Sequence, residues 1–138
     1  MLIASQLIKK YSNLTVVNDV SLHINKSEIV SIVGPSGAGK STLLHLIGAL
    51  DKPDIGSVTI DGTDVFKLPS KKQAQFRNKH IGFVFQFHHL LPEFSAAENV
   101  AVPLWINGTG KKDGIKQAEA MLHTVGLGNR LDNKPSEL

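Results

Sequence analysis

Apolar and polar residues alternate along the first part of the chain in a pattern that predicts short β-strands. Val20, Leu22 and Ile24 alternate with polar residues, which indicates a strand with one solvent-exposed face. Residues 29–33 are instead almost wholly apolar, as in strands that are buried on both faces. The pattern therefore predicts three strands, at residues 2–8, 16–24 and 28–33.

The spacing of the apolar residues becomes helical after Lys40. One face of the predicted helix carries four of them, Leu43, Leu46, Ile47 and Leu50. The stretch Asp51-Lys52-Pro53-Asp54 then ends the helix, because proline cannot continue it.

Turn and capping signals predict the remaining elements. Asp61-Gly62 after an apolar run indicates a tight hairpin turn. Ser95 and Glu98 form a capping box that should begin a helix, and Gly126 follows a later helical stripe as its C-terminal signal. We expect a strand at 57–60, a helix from a capping Ser70 to about Asn78, a strand at 81–85, a helix from 95 and a helix that includes 115–125.

A glycine-rich loop lies between the predicted strand at 28–33 and the helix after it. Its spacing, Gly34-x-x-x-x-Gly39-Lys40-Ser41, is that of a phosphate-binding loop. Bare backbone lets consecutive N–H groups point at one dense anion, and the helix N-terminus adds further donors. The alternative is a glycine-rich turn with an ordinary surface lysine, but the strand-to-helix context favours nucleotide binding.

Each residue of the loop has an expected role in that site. The predicted nucleotide-binding residues are Gly34, Pro35, Ser36, Gly37, Ala38, Gly39, Lys40, Ser41 and Thr42. We expect Lys40 to contact the outer phosphates of a nucleotide, Ser41 to bind Mg²⁺ and Thr42 to contact an inner phosphate.

Composition narrows the class of protein. The 138 residues are 41% hydrophobic and 20% charged, with a net charge of +3 and no cysteine. These values fit a soluble globular protein, exclude disulfides and cysteine-bound zinc, and do not indicate nucleic-acid binding. No apolar run approaches the roughly 18 residues of a membrane span, and the first residues do not resemble a signal peptide.

Hydrolysis would also need an acidic residue at a strand end and a group that orients water. Asp61 belongs to the hairpin signal, and the other acids lie in polar stretches. Gln86 directly follows the predicted strand at 81–85, where its amide oxygen could contact Mg²⁺ or the attacking water; from spacing alone, an ordinary loop glutamine fits equally well.

These residues together resemble the nucleotide-binding subunits of ABC transporters. The loop at 34–42 matches their phosphate loop, Gln86 matches their Q-loop, and Tyr11 matches the aromatic residue that stacks on adenine. Residues 76–100 are most similar to the ATPases of lipoprotein-releasing systems and to macrolide-export and cell-division relatives. Ser27 departs from the family, which usually has glycine there.

The resemblance implies an α/β P-loop NTPase with a mixed β-sheet, an ABC-type antiparallel part and the start of a helical subdomain. It places the nucleotide-binding core at residues 1–94 and a partial helical subdomain at 95–138. It also implies an ATPase that binds ATP and Mg²⁺, with Ser41 and Gln86 near the metal, and that couples hydrolysis to a membrane permease in lipoprotein release.

Further expectations follow from the same resemblance. The full-length protein should form a homodimer at the cytoplasmic face of the inner membrane and contact permease subunits, without nucleic acid. The apolar residues after Gln86 should provide the permease contact: Phe87, Leu90, Leu91 and Phe94. The family's signature motif, magnesium-binding Asp and catalytic Glu follow the position of Leu138, so we expect these 138 residues alone to be nearly inactive. The transported substrate itself cannot be read from this chain.

Two other functions stay open. A different P-loop enzyme, such as a GTPase, would need a guanine-specific Asn-Lys-x-Asp, and Asn133-Lys134-Pro135-Ser136 has serine at the last position. A non-catalytic interaction module would keep the loop only as structure. His88 and His89 do not predict a metal site, because adjacent side chains point apart and no third ligand has suitable spacing.

Overall fold

The first part of the chain forms a four-stranded antiparallel β-sheet. A computed structural model describes residues 1–137. The strands have the spatial order β2-β1-β3-β4. Their bounds are β1 Leu2–Tyr11, β2 Leu14–Ile24, β3 Ile55–Ile60 and β4 Thr63–Asp64. The strands predicted at 2–8, 16–24 and 57–60 are therefore confirmed, each slightly longer than expected.

Tight turns connect the neighbouring strands of this sheet. Asp61 and Gly62 have φ values of 46° and 79° between the paired residues Ile60 and Thr63. Positive φ at both central residues matches the twist of a hairpin, which confirms the predicted turn. Asp61 also accepts a hydrogen bond of 2.8 Å from the amino group of Met1, which fastens the start of β1 to this turn.

Four α-helices accompany the sheet in the described part of the chain. They are α1 Lys40–Ile47, α2 Ser70–His80, α3 Ala96–Ile106 and α4 Lys111–Thr124, with short 3₁₀ turns at Val65–Lys67 and Pro135–Glu137. The capping box of Ser95 and Glu98 is present at the start of α3. Gly126 has a φ of 80° just beyond α4, as expected for a residue that ends a helix.

One predicted cap is wrong. Ser70 is the first residue of α2, and Pro69 occupies the capping position without a side-chain hydrogen bond. Proline has no side-chain acceptor, but its fixed φ orients the chain at the helix start.

The described residues form two compact units. The first, Met1–Ile81, has a core between the sheet and α1 that includes Leu7, Leu46 and Val58. The second begins at Gly82 and has a smaller core of α3 and α4 residues, among them Ala97 and Leu122. The predicted division into functional domains at residues 94 and 95 stays a prediction.

Two predicted strands are not strands. Residues 28–33 and 81–85 pair with no other described segment, although both are rich in apolar side chains. Ile29 and Val84 are 96% and 103% exposed. A β-strand needs a neighbouring strand to satisfy its backbone, so an apolar run alone does not form one. The segment before the glycine-rich loop therefore has no regular secondary structure here.

No helix among residues 1–137 is both long enough and apolar enough to cross a lipid bilayer.

Candidate functional site

The glycine-rich loop forms a tight turn between the segment at 28–33 and α1. Gly37 and Gly39 have φ values of 79° and 83°, a backbone conformation that favours glycine. Gly39 is the N-cap of α1, and no side chain caps this helix. The first N–H groups of the helix are therefore not satisfied by a cap and are available to an anion.

Gly39 also lies in direct contact with β2. An added Cβ at this position would lie 2.5 Å from the carbonyl oxygen of Val16. Because that neighbour is backbone in a paired strand, it cannot move aside cheaply. The glycine therefore holds the loop against the sheet as well as permitting its turn.

The ammonium group of Lys40 lies over the inside of the loop. Its Nζ donates hydrogen bonds of 2.9 Å and 2.7 Å to the carbonyl oxygens of Gly34 and Pro35. These contacts hold the two ends of the loop together through one side chain. Because an ammonium has three N–H donors, Lys40 can still donate to a further acceptor.

A concave pocket of about 270 Å³ opens at this loop. Val16 and residues 36–42 line it. Its lining consists mainly of loop backbone, the Lys40 ammonium and the hydroxyl residues Ser36, Ser41 and Thr42. This combination of backbone donors, a helix N-terminus and one cation suits a polyphosphate.

A second hollow, of about 220 Å³, adjoins the loop but differs in chemistry. It is lined mainly by apolar side chains, including Val17, Val20, Ile32 and Leu43. An anion would lose hydration there without gaining enough donors. The pocket over residues 36–42 is therefore the candidate site.

The residues of that pocket also fit a magnesium ion bound together with a phosphate. Mg²⁺ in such sites usually takes one or two protein oxygens and completes its shell with phosphate oxygens and water. Ser41 supplies a hydroxyl in the pocket lining beside the Lys40 ammonium. Among residues 1–137, no three His, Cys, Asp or Glu side chains come close enough together to hold a metal without such a ligand.

Tyr11 lies in the same compact unit as the loop and belongs to a polar cluster. Its hydroxyl donates a 2.7 Å hydrogen bond to Oδ2 of Asp51, and Nζ of Lys9 lies 5.2 Å from the centre of its ring. The residue is 48% exposed. The ring is thus held at one end and remains accessible to a ligand.

Asp51 is the centre of this cluster. Its Oδ1 accepts hydrogen bonds from Nζ of Lys9 at 2.8 Å and from the backbone N–H of Lys52 at 2.7 Å. The hydrogen bond from Lys9 lowers the pKa of the Asp51 carboxyl below its usual value. The hydrogen bond to Asp51 in turn raises the pKa of Lys9 and that of Tyr11.

The other predicted site residues lie in the second unit. Gln86 is exposed in a bend after the segment at 81–85, which has no regular secondary structure. Phe87 is 70% and Leu91 43% exposed, and Leu90 is half-buried. Phe94 is also half-buried and packs its ring edge against Trp105, with centroids 6.3 Å apart, so it contributes partly to packing within that unit.

Three residues of the site were not foreseen from the sequence. The sequence pattern predicts only a strand position for Val16 and only the end of a helix for Asp51, and it predicts no element for Lys9. The one available signal was the Lys9-x-Tyr11 spacing, since residues two apart on a strand share a face. The contacts of Val16 and Asp51 depend on how distant segments pack.

Comparison with known proteins places the chain in a family. The ABC transporter family profile matches residues 17–138. The chain is 53% identical over 132 residues to the lipoprotein-releasing system ATP-binding protein LolD of Bacteroides thetaiotaomicron, covering 96% of the chain and 61% of that protein. It is 53% identical over 123 residues to the LolD of Colwellia psychrerythraea, covering 89% of the chain and 48% of that protein. The chain thus spans about half to three fifths of the length of these relatives.

Solved structures agree with this assignment. The ATP-binding cassette MJ0796, in a dimeric post-hydrolysis state bound to ADP and Pi, superposes with a TM-score of 0.89 at 36% identity. The match covers 100% of this chain and 63% of that one. It confirms the predicted α/β, ABC-type fold class, and the LolD relatives confirm the predicted resemblance to lipoprotein-releasing ATPases. The chain belongs to the ABC transporter family.

Proposed function

We propose that this chain is the nucleotide-binding part of the ATPase subunit of an ABC transporter. The observation that carries the proposal is the pocket over residues 36–42, where loop backbone, the N-terminus of α1 and the Lys40 ammonium converge. A triphosphate fits this site because every one of these groups favours negative charge. The family assignment supports ATP as the nucleotide.

Within this proposal each residue has a distinct task. The backbone N–H groups of residues 36–39 hold the phosphates, and the third donor of Lys40 reaches the outer ones. The Thr42 hydroxyl contacts an inner phosphate, and Tyr11 stacks on the adenine. The Ser41 hydroxyl would hold Mg²⁺, which would neutralise charge that develops on the transferred phosphoryl group. Gln86 stays a further predicted magnesium ligand on the basis of the family resemblance.

The function of the whole protein rests on its relatives. These relatives are ATP-binding proteins of lipoprotein-releasing systems, so we propose that ATP binding and hydrolysis here drive a permease that releases lipoproteins from the inner membrane. The dimeric cassette supports a homodimer. The proposed location is the cytoplasmic face of that membrane, with the permease contacting the exposed Phe87 and Leu91 and their neighbours Leu90 and Phe94.

These 138 residues alone should hydrolyse ATP very slowly. The residues that line the loop pocket are Val16 and 36–42, which include no acidic side chain. Water activation and the second magnesium contact therefore have no carboxylate within that lining. We propose weak nucleotide binding and negligible turnover for this segment by itself.

Calorimetry with Mg-ATP on the full-length gene product tests the nucleotide site. Lys40→Ala removes the ammonium from the pocket, and we expect a loss of affinity of at least about tenfold, since a hydrogen bond to a charged group contributes about 1.5–3 kcal/mol. Lys71→Ala is the matched control, because Lys71 is an exposed lysine on α2 outside the pocket. If both variants bind Mg-ATP with the same affinity as the parent, the proposed nucleotide site at Lys40 is refuted.

The same variants test the transport role. In a bacterium depleted of its own lipoprotein-releasing ATPase, we expect the parent gene and Lys71→Ala to restore growth and Lys40→Ala to fail. Restoration by Lys40→Ala would contradict a role for nucleotide binding in release.

The GTPase alternative has less support. The guanine-specific motif requires aspartate at its last position, where the stretch Asn133-Lys134-Pro135-Ser136 has serine. A competition experiment between ATP and GTP for the pocket distinguishes the two functions. Tighter binding of GTP than of ATP would favour the GTPase alternative.

A further inference from the structure

Lys9, Tyr11 and Asp51 form a side-chain cluster beside the phosphate loop helix. We infer that Asp51 is a positioning residue that fixes the Tyr11 ring through its phenol hydroxyl, so that a purine base stacks on the part of the ring that Lys9 leaves uncovered. The inference rests on the proposed stacking role of Tyr11 and adds the residues that make the ring a fixed platform.

The hydrogen bond between Tyr11 and Asp51 restricts the ring. Tyr11 is the last residue of β1 and is 48% exposed, so strand packing alone leaves its side chain free to rotate. The 2.7 Å bond from its hydroxyl to Oδ2 of Asp51 is short, as for a hydroxyl donating to a carboxylate. A ring held at its far end loses little further entropy when a base stacks on it.

Asp51 itself is held in place from several directions. Its other oxygen, Oδ1, accepts from Nζ of Lys9 and from the N–H of Lys52. Its own N–H donates a 3.2 Å hydrogen bond to the carbonyl oxygen of His45 in α1. The carboxylate is therefore fixed relative to the helix whose N-terminus carries the phosphate loop.

Asp51 connects the Tyr11 ring to the helix that carries the phosphate loop. Asp51 lies shortly after α1, and its N–H donates to the carbonyl oxygen of His45 within that helix. The hydrogen bond from the Tyr11 hydroxyl to Asp51 therefore sets the ring at a defined place relative to the groups proposed to hold the phosphates.

Lys9 covers one side of the ring. Its ammonium lies over the ring at 5.2 Å from the centroid and is held there by Asp51 and by the Lys52 carbonyl oxygen at 2.8 Å. The residue is only 9% exposed, so this position is part of the packed structure. A cation on one face leaves the exposed remainder of the ring for the base.

The test compares two ligands on the full-length gene product, Mg-ATP and Mg-tripolyphosphate. Only ATP has a base, so the ratio of the two affinities isolates what the ring contributes. The variants are Tyr11→Ala, Tyr11→Phe and Asp51→Ala. Asp54→Ala is the matched control, because Asp54 is a nearby acid whose Oδ2 accepts from the backbone N–H of Lys10 rather than from the phenol.

We expect Tyr11→Ala to lower the ratio by about 5- to 150-fold, the range expected for loss of one stacking contact. Tyr11→Phe and Asp51→Ala should each lower it by about 3- to 10-fold, because each removes the bond that fixes the ring. The double variant Tyr11→Phe/Asp51→Ala should be no worse than either one, since both remove the same interaction. Asp54→Ala should leave the ratio unchanged.

The outcomes separate two failures. If Tyr11→Ala leaves the ratio unchanged, the proposed stacking role is wrong, and the inference falls with it. If Tyr11→Ala lowers the ratio but Tyr11→Phe does not, stacking stands and positioning by Asp51 is overturned. Tyr11→Phe retains the Lys9–Asp51 pair, so it decides the question even if Asp51→Ala fails to fold. Additive effects in the double variant would also overturn the inference.

Discussion

A Cβ on Gly39 would lie 2.5 Å from the carbonyl oxygen of Val16, so the end of the phosphate loop contacts β2 with no room for a side chain. Gly37, two residues earlier, has a similar φ of 79° but no atom within 4 Å of such a Cβ. Alanine substitutions at the two glycines therefore distinguish the free-energy cost of a left-handed backbone from the cost of the steric contact with Val16.

We expect Gly39→Ala to lower the free energy of unfolding by about 2–5 kcal/mol, the sum of left-handed backbone strain and overpacking. Gly37→Ala should cost only about 1–2 kcal/mol, because it adds strain without a collision. Urea denaturation of both variants measures the difference. Equal losses would mean that the contact with Val16 relaxes without cost.

The cluster around Asp51 predicts a second stability effect. Asp51→Ala leaves the Lys9 ammonium, 11% exposed, without its carboxylate, and we expect a loss of about 2–4 kcal/mol in unfolding free energy at neutral pH. Asp54→Ala, which removes a carboxylate whose Oδ2 accepts a hydrogen bond from the backbone N–H of Lys10, should cost about 1 kcal/mol. A loss for Asp51→Ala no larger than that of Asp54→Ala would argue against a structural role for the pair.

The loss of unfolding free energy in Asp51→Ala should depend on pH, and the pKa shifts in the cluster determine the direction. The lowered pKa of Asp51 stabilises the fold above its unfolded value of 3.8, and this stabilisation is lost as pH falls through the folded pKa. The raised pKa values of Lys9 and Tyr11 stabilise the fold below 10.5 and 10.0, and this is lost as pH rises through the folded values. The difference between the parent and Asp51→Ala should therefore be flat near neutral pH and shrink at both extremes. A difference that is constant from pH 3 to pH 11 would contradict this.

Asn99 fastens the segment after Gln86 to α3. Its side chain accepts from the N–H of Leu91 at 2.8 Å and donates to the carbonyl oxygens of Leu91, Phe94 and Ser95 at 3.0–3.1 Å. We expect Asn99→Ala to accelerate amide hydrogen exchange in residues 91–95, because these backbone groups lose a partner. Asn107→Ala, at the other end of α3, is the control, and equal exchange in both variants would refute the role of Asn99.

At position 114 we expect the usual preference of helices for alanine over glycine to be reversed. Gly to Ala within a helix ordinarily stabilises by about 1 kcal/mol, but here a Cβ would lie 2.5 Å from Nε1 of Trp105. We expect Gly114→Ala to destabilise by about 1–3 kcal/mol through overpacking and to shift the fluorescence of Trp105, the one tryptophan of the 138 residues. Gly110→Ala, whose Cβ would meet Asp113 at an ordinary 3.8 Å, should leave the spectrum unchanged.

Local signals were sufficient for several parts of the molecule. The loop spacing from Gly34 to Ser41, the Asp61-Gly62 turn and the Ser95 capping box each depend on backbone groups a few residues apart, so the sequence alone predicted them. The helical stripe of α1 was likewise confirmed at Leu43, Leu46 and Ile47, although Leu50 lies beyond the helix and is 45% exposed. The resemblance to the ABC transporter family could be recognised from the sequence for the same reason, because the residues that carry it lie in contiguous stretches.

Tertiary structure alone decided what depends on distant segments. Strand formation at 28–33 and 81–85 requires a partner that no local pattern specifies, and neither segment pairs within the described residues. The contact of Val16 with Gly39 and the bond from Tyr11 to Asp51 join positions 23 and 40 residues apart. Spacing along the chain determines which groups are available, whereas packing determines which of them meet, because a hydrogen bond or a collision acts only at the distance that the fold creates.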